Sequence, residues 1–369
     1  MSNHSRKLRI AQVLPELNEG GVERGVVELN REMVKRGVES IVISKGGGLA
    51  KQIDRDGGIH VHMDVCSKNP FSAPARSLEL RQRLRELRPN ILHARSRVPA
   101  WLCRFANRPL KIPFVTTVHG INSVSPFSKV MTTGEQVICV GEPVRQHIIK
   151  HYNTNTEKIT VIPRGVDLSV FNPEAVNPEE VRSFRGKLGL EDKFVIGSVG
   201  RISKVKDFET VISAVAHLGK SYSDMVGLIV GGTSRKRKSY AESLQNLADT
   251  SHPEGIVFTG SQSNMPMVYS CCDLLVNASP LMGNVARTLL EAMAMDVPVL
   301  SLKLEGMEKL VRDGENGYIF NKGDHRDLAE KITMALENPP PSPRQSIPYE
   351  FTLDSMVDST LSVYSLLTQ

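Results

Sequence analysis

Residues 271–303 limit most sharply what this chain can fold into. They read as a hydrophobic strand (Leu274, Leu275, Val276), a polar loop (277–284), a helix carrying Glu291, and a second strand (Val297, Pro298, Val299, Leu300). In the helix, the apolar residues Leu289, Leu290 and Met293 fall at helical spacing, so one face packs on a sheet. The same spacing projects Arg287 and Glu291, one turn apart, from a shared face. Asp296 and Pro298 stop the helix and start the next strand. This is half of a strand–helix–strand unit of a parallel sheet. The loop before its helix opens at the carboxyl end of a strand, where such sheets bind ligands. Free N–H groups at the helix start suit a phosphate, and a carboxylate further in could accept hydrogen bonds from a ribose. The alternative is that Glu291 is a solvated helix residue.

A chain of 369 residues has room for two ordinary domains, each with its own core. No apolar run is long enough to span a bilayer. Residues 1–9 are polar and basic and lack the apolar core of a secretory signal, so a cytosolic protein is expected, with the inner face of the cytoplasmic membrane as a site of work. The five cysteines (Cys66, Cys103, Cys139, Cys271, Cys272) show no metal-ligand spacing and read as buried thiols. Charge is uneven. Residues 1–172 hold 26 Lys and Arg against 15 Asp and Glu, a net +11, and residues 173–369 hold 20 against 25, a net −5. A basic first half favours an anionic partner such as a membrane surface, a phosphorylated glycolipid or nucleic acid, or is simply a soluble basic surface.

In chain order, residues 8–14 read as a buried strand, 15–21 as a loop ending in Gly20-Gly21, and 22–36 as a helix with Val26, Leu29, Met33 and Val34 on one face. With a strand over 40–44, this is the entry to a Rossmann-like domain. Gly20, Gly21 and Gly25 do not have the Gly-x-Gly-x-x-Gly spacing, which weakens a dinucleotide reading. Gly20-Gly21 either lets the backbone approach a phosphate or is a plain turn. On the helix at 73–88, Arg81, Arg85 and Arg88 line up beside an apolar stripe, as a solvated face or a lipid-phosphate contact. A strand at 113–118 runs into His119-Gly120, and a histidine at that end of a strand is placed for function more often than for packing. In the second half a strand at 193–200 leads into Arg201 and Lys206 ahead of a helix at 208–218. Two such cations would clamp a diphosphate, or are solvated loop charges. The basic run 235–238 reads as solvated unless the substrate is polyanionic. The pattern breaks at 163–173, which sets domains at 1–172 and 173–351. A final amphipathic helix, 352–367, follows a proline-rich spacer at 339–343. Two successive parallel-sheet domains with a cleft between them are expected.

Several stretches, in order, carry a resemblance. They are Gly20-Gly21 before a helix ending at Arg36-Gly37, His119-Gly120, Ile162-Pro-Arg-Gly-Val-Asp167 with Phe171 and Pro173, Val199-Gly-Arg-Ile-Ser-Lys-Val-Lys206, Phe258-Thr-Gly260, Leu290-Glu-Ala-Met-Ala-Met-Asp-Val-Pro-Val299, and Val311-Arg-Asp-Gly-Glu-Asn-Gly317. Together, over nearly the whole chain, they resemble retaining glycosyltransferases of family 4. The likeness is nearest to the bacterial enzymes that build lipopolysaccharide cores and other cell-surface glycans. The resemblance implies the α/β GT-B fold, two Rossmann-like domains facing across a cleft, with the last helix (352–369) crossing back to the first domain. It implies a nucleoside-diphosphate-sugar donor, a glycan or lipid-linked acceptor, and no metal or other cofactor. On this resemblance Arg201 and Lys206 hold the donor diphosphate, Glu291 binds the ribose, and the helix start at Ala286, Arg287 and Thr288 binds the pyrophosphate. Thr259 and Gly260 lie beside the base, Gly20 and Gly21 meet the donor phosphate and sugar, and His119 lies near the transferring sugar.

One departure matters. The family usually carries a glutamate eight residues before the ribose-binding one, and that position here is Gly283; the glycines that normally follow are Asn284 and Ala286. Asn284 could compensate, or the donor could be unusual, the loop differently aligned or catalysis weak. Arg164 stands where many relatives have Asn. A nucleotide-sugar-binding protein with lost activity and a sugar-nucleotide epimerase of similar fold are the alternatives. Nucleic-acid binding rests on charge alone and is not expected, with Trp101 the only tryptophan.

Overall fold

The structure is a computed structural model that describes residues 7–18, 20–234, 237–280 and 286–368. Gly283, Asn284, Arg235 and Lys236, singled out in the sequence, lie outside the described residues. The chain divides into two units: Met1–Arg164 with Leu353–Gln369, and Gly165–Thr352.

The first unit is built on strands β1 (Arg9–Val13), β2 (Glu39–Ser44), β3 (Ile59–His62), β4 (Ile91–Ala94), β5 (Phe114–Val118), β6 (Gln136–Cys139) and β7 (Ile159–Val161). They lie in the order β3-β2-β1-β4-β5-β6-β7, and every pairing is parallel. The crossovers carry α1 (Gly21–Lys35), α2 (Ala50–Arg55), α3 (Ala73–Leu87), α4 (Arg97–Asn107) and α5 (Glu142–Tyr152). β4 and β5 are buried at every position, as strands with both faces covered must be. Neighbouring residues serve opposite cores. Ala11 and Leu92 join Leu80, Leu84 and Cys103, while Ile10 and Ile91 join Leu29 and Met33. The sheet reverses its winding between β1 and β4, so a crevice is expected at their carboxyl ends.

The second unit repeats the plan. Strands β8 (Phe194–Val199), β9 (Met225–Val230), β10 (Ile256–Gly260), β11 (Leu274–Asn277), β12 (Val299–Leu302) and β13 (Tyr318–Phe320) lie in the order β10-β9-β8-β11-β12-β13, all parallel. The helices are α6 (Pro178–Lys187), α7 (Phe208–Leu218), α8 (Lys238–Ser251), α9 (Met265–Ser270), α10 (Arg287–Ala294) and α11 (His325–Glu337). The apolar face foreseen for the Glu291 helix is real. Leu289, Leu290 and Met293 are fully buried against Val195, Leu275 and Val299. Each such side chain contributes roughly 1.5–3 kcal/mol, which fixes α10 on its sheet. Asp296, at φ 59°, takes the left-handed turn that ends this helix.

The closing helix α12 (Leu353–Ser365) belongs to the first unit. Leu353, Val357, Val363 and Tyr364 complete the core under Ile10, Ile91 and Val115. Tyr364 also reaches a buried polar group, its hydroxyl lying 2.6 Å from His93 Nδ1.

Two sequence expectations need correction. The division falls after Arg164, not after 172, because residues 165–172 are stapled into the second unit. Val166 N donates to Phe351 O (2.8 Å), Phe171 is in the core, and Arg344 Nη2 donates to Leu168 O (2.8 Å). The arginine stripe on α3 is not simply solvated, since Arg81 donates to the carbonyls of Ala106 and Phe105, both at 3.2 Å, and ties α3 to the end of α4. In the basic run, Lys238 opens α8 and meets Glu242 at 3.6 Å on an exposed face.

Candidate functional site

In the second unit the site begins with one carboxylate. Glu291 is 6% exposed, so the solvated alternative is set aside. Its Oε1 lies 2.5 Å from Arg287 Nε, and its Oε2 accepts from the Tyr269 hydroxyl at 2.7 Å. Burial, and then the Glu291 charge, push Tyr269 well above the ordinary phenol range, so it stays a donor. Each carboxylate oxygen has two lone pairs, so a carboxylate fixed from behind at both oxygens can still accept from a ligand.

The elements around Glu291 are tied to each other. Asn277, ending β11, donates from Nδ2 to Thr288 Oγ1 (2.8 Å). Ala286 precedes α10 with no side-chain cap among the described residues, and its carbonyl accepts from Leu289 N at 3.0 Å. Ser279 donates to Val205 O at 3.1 Å, which joins this region to the loop carrying Lys206. The Lys206 stem lies across Gly200, where a Cβ would come within 2.8 Å of Lys206 Cε. Burial and then the nearby Arg201 charge hold the Lys206 ammonium below the ordinary lysine range. Two cations near enough to feel one another gain from an anion bound beside both. At the end of β10, Gly260 is exposed at φ 69° and accepts from Gly231 N (2.9 Å), while the Thr259 hydroxyl donates to Gly260 O (3.1 Å). Gly231 in turn approaches Gly200 O so closely that no side chain fits.

The first unit gathers the other candidates. Gly20 precedes α1 with no side-chain cap, and Gly21 is its first residue. A Cβ on Gly21 would collide with Arg164 Nη1, and one on Gly20 with the Glu23 carboxylate. His119 directly follows β5. The residue as a whole is half-buried, yet both ring nitrogens are shielded from solvent and have no hydrogen-bond partner among the described residues. Burial, then the charges of Arg95, Arg164 and His93, hold its imidazole well below its ordinary range, so it is neutral near pH 7. His93 is different, for its Nδ1 meets Tyr364 and its Nε2 meets Thr117 Oγ1 at 2.7 Å.

Sequence reasoning missed Tyr269, which lies on the short α9 and has no local pattern linking it to Glu291. It also gave Arg95 no role, although its place just after a central strand was a usable signal. Among the described residues, no group of three or more His, Cys, Asp or Glu side chains is arranged to hold a metal ion.

Two family models match successive parts of the chain. Residues 19–170 match Glycosyltransferase Family 4, and residues 180–350 match Glycosyl transferases group 1. The chain belongs to the family 4 glycosyltransferases. This glycosyltransferase is similar to the spore coat protein SA of Bacillus subtilis (25% identity, 86% of each chain). It is also similar to the alpha-monoglucosyldiacylglycerol synthase of Streptococcus pneumoniae (30% identity over 62% of this chain), where the match spans only 54% of the relative's length. Among solved structures, a glycosyltransferase from Rickettsia africae superposes with a TM-score of 0.90 at 26% identity, covering 99% of both chains. Anabaena Alr3699/HepE in complex with UDP and glucose superposes at 0.84, with 18% identity over 97% of this chain and 100% of its own. The fold is GT-B, two Rossmann-like parallel-sheet domains.

Proposed function

We propose that this glycosyltransferase moves a sugar from a nucleoside-diphosphate sugar to a lipopolysaccharide-core or other cell-surface glycan or lipid-linked acceptor, with retention of configuration. The observation that carries the donor half is Glu291, held on one oxygen by Arg287 and on the other by Tyr269. A buried carboxylate fixed this way is a rigid acceptor suited to the two hydroxyls of a ribose. Arg201, Lys206 and the first N–H groups of α10 would take the diphosphate, with Thr259 and Gly260 beside the base. As the bond from the anomeric carbon to the phosphate oxygen breaks, charge grows on the diphosphate, where these groups stabilise it. The acceptor oxygen forms the new bond from the same face and its proton passes to the departing phosphate oxygen. The step requires neither a protein nucleophile nor a metal. His119, neutral and with no hydrogen-bond partner at either nitrogen among the described residues, is suited to a sugar hydroxyl. The UDP and glucose of the Anabaena protein support a donor of this class.

A thermal-shift panel of UDP, GDP, ADP and CDP with their common sugars tests the reading. One nucleotide is expected to stabilise the protein selectively, and the shift is expected to vanish in Glu291→Ala and Lys206→Ala. No stabilisation by any of them would favour a protein that has lost donor binding.

A second feature supports work at an anionic membrane. Trp101 stacks with Phe105 (5.6 Å between centroids) and Phe127 (6.4 Å), both exposed, while Arg108 and Arg97 lie over those two rings. Aromatic faces edged by arginine suit a headgroup layer. Among the described residues no helix is long and apolar enough to cross a membrane. Binding to vesicles should rise with anionic lipid, fall with salt and drop in the Phe105→Ser, Phe127→Ser double variant. Indifference to lipid charge and salt would remove this part of the reading.

A further inference from the structure

Arg95 lies at the most telling place in the first sheet. It follows β4 directly, its N–H donates to Val13 O at the end of β1 (2.9 Å), and β1 and β4 are the pair between which the winding reverses. It is 8% exposed. Its Nη1 reaches Gln12 Oε1 at 3.4 Å, a long and neutral contact, and its Nε has no partner among the described residues. Gln12, fully buried beside it, leaves its own Nε2 without one. Among the described residues no carboxylate answers this guanidinium. A buried charged group without an opposite charge beside it destabilises the ligand-free protein. Arg164, which acts with Arg95 on the His119 imidazole, shares its sign. Arg164 lies against Gly21 at the positive end of α1, and both His119 ring nitrogens lack a hydrogen-bond partner among the described residues. Glu23, in the first turn of α1, lies against Gly20 and answers that helix end, not Arg95.

We propose that a sugar substrate of this enzyme carries a negative group of its own, a carboxylate or a phosphate, and that Arg95 and Arg164 hold it beside His119. The diphosphate of the donor has its cations in the second unit, Arg201 and Lys206, so this anion is a second one. It resides either on the transferred sugar or on the acceptor. Arg95 supplies the charge that burial has already desolvated, Arg164 the outer one, and His119 a hydrogen bond to a neighbouring hydroxyl. A neutral hexose in this place would leave the Arg95 charge unanswered, which makes the cluster a selector and not only a holder.

The proposal rests on the glycosyltransferase reading, and the test separates the two. Binding to the full chain is measured calorimetrically in two arms. The first compares UDP-glucuronate with UDP-glucose, for a charge on the transferred sugar. The second compares glucose 6-phosphate with glucose, without nucleotide, for a charge on the acceptor. In one arm the charged probe should bind at least tenfold tighter than its neutral partner, and Arg164→Gln should erase the difference while UDP alone binds as before. Arg95→Gln should do the same, and because Arg164 is half-buried its variant stands even if Arg95→Gln fails to fold. Charged probes that bind no tighter than neutral ones in both arms overturn the proposal. So does a preference that survives Arg164→Gln, or an equal loss for UDP-glucose and UDP-glucuronate, which would assign the arginines to the diphosphate. Failure of UDP to bind at all counts against the donor reading, and the second arm still decides the anion.

Discussion

Glu291 and Arg95 are both nearly shut off from water, 6% and 8% exposed, yet they are treated in opposite ways. The second unit surrounds its carboxylate with a guanidinium and a phenol before any ligand arrives. Among the described residues, the first unit gives its guanidinium one long contact, to a glutamine. A charge that is already answered acts as a fixed template. A charge that is not answered stores a penalty that only a ligand of opposite sign removes. Two sheets wound in the same order, the first with one strand more, thus treat a buried charge in opposite ways.

The comparison can be broken most severely by removing the answered charge. Glu291→Ala strips Arg287 and Tyr269 of their shared acceptor and should lower stability by about 3–5 kcal/mol, read from urea unfolding of the ligand-free protein. A loss of only a few tenths would mean that Glu291 is not held as described. Next, Lys206→Ala should slow sugar transfer by roughly 100- to 1,000-fold, seen in initial rates of nucleoside diphosphate release, with stability little changed. Tyr269→Phe removes one hydrogen bond to the carboxylate and should cost about 1.5–3 kcal/mol.

Arg95→Met sharpens the contrast because its sign is reversed. Replacing an unanswered buried charge by an apolar side chain of similar length should leave the ligand-free protein as stable as before, or more stable by about 1 kcal/mol. A loss as large as that of Glu291→Ala would erase the distinction between the two units. The smallest effect is one of pH. Lys206 titrates below its ordinary range in the free protein, and a bound diphosphate favours its charged form. Binding therefore takes up a fraction of a proton at alkaline pH, and affinity should fall as pH rises through that lowered pKa. Titrations of the nucleoside diphosphate from neutral to alkaline pH should show this slope in the wild type and a flatter one in Lys206→Arg.

The parts of this arrangement that were legible in the sequence are those set by local pattern. Helical spacing gave the buried face of α10 and placed Arg287 against Glu291; Asp296 gave its end. The break after β7 was visible, but not the staple by Arg344, which reaches back across more than a hundred residues to set the division at Arg164. Tyr269 could not be found for the same reason, since its hydroxyl meets Glu291 only after β11 and α10 have packed. Arg81 read as one of a solvated row because spacing reports which residues share a face, not which neighbouring helix that face meets. Arg95 was visible as a strand-end residue, but its burial comes from β1 lying beside β4, a pairing that a strand-by-strand reading does not supply.

Tyr364 of α12 closes on His93 of β4, and this bears on the order in which the protein can be made. The first sheet leaves the ribosome early, yet the helix that covers Ile10, Ile91 and Val115 is translated after the whole of the second unit. The second unit is continuous in the chain and can finish folding while the first still has an apolar face uncovered. Synthesis thus runs against the usual order in which the leading domain folds first. During translation of some 190 residues, Gly165–Thr352, that uncovered face is where chaperone capture, or misassembly with another nascent chain, would be expected to strike.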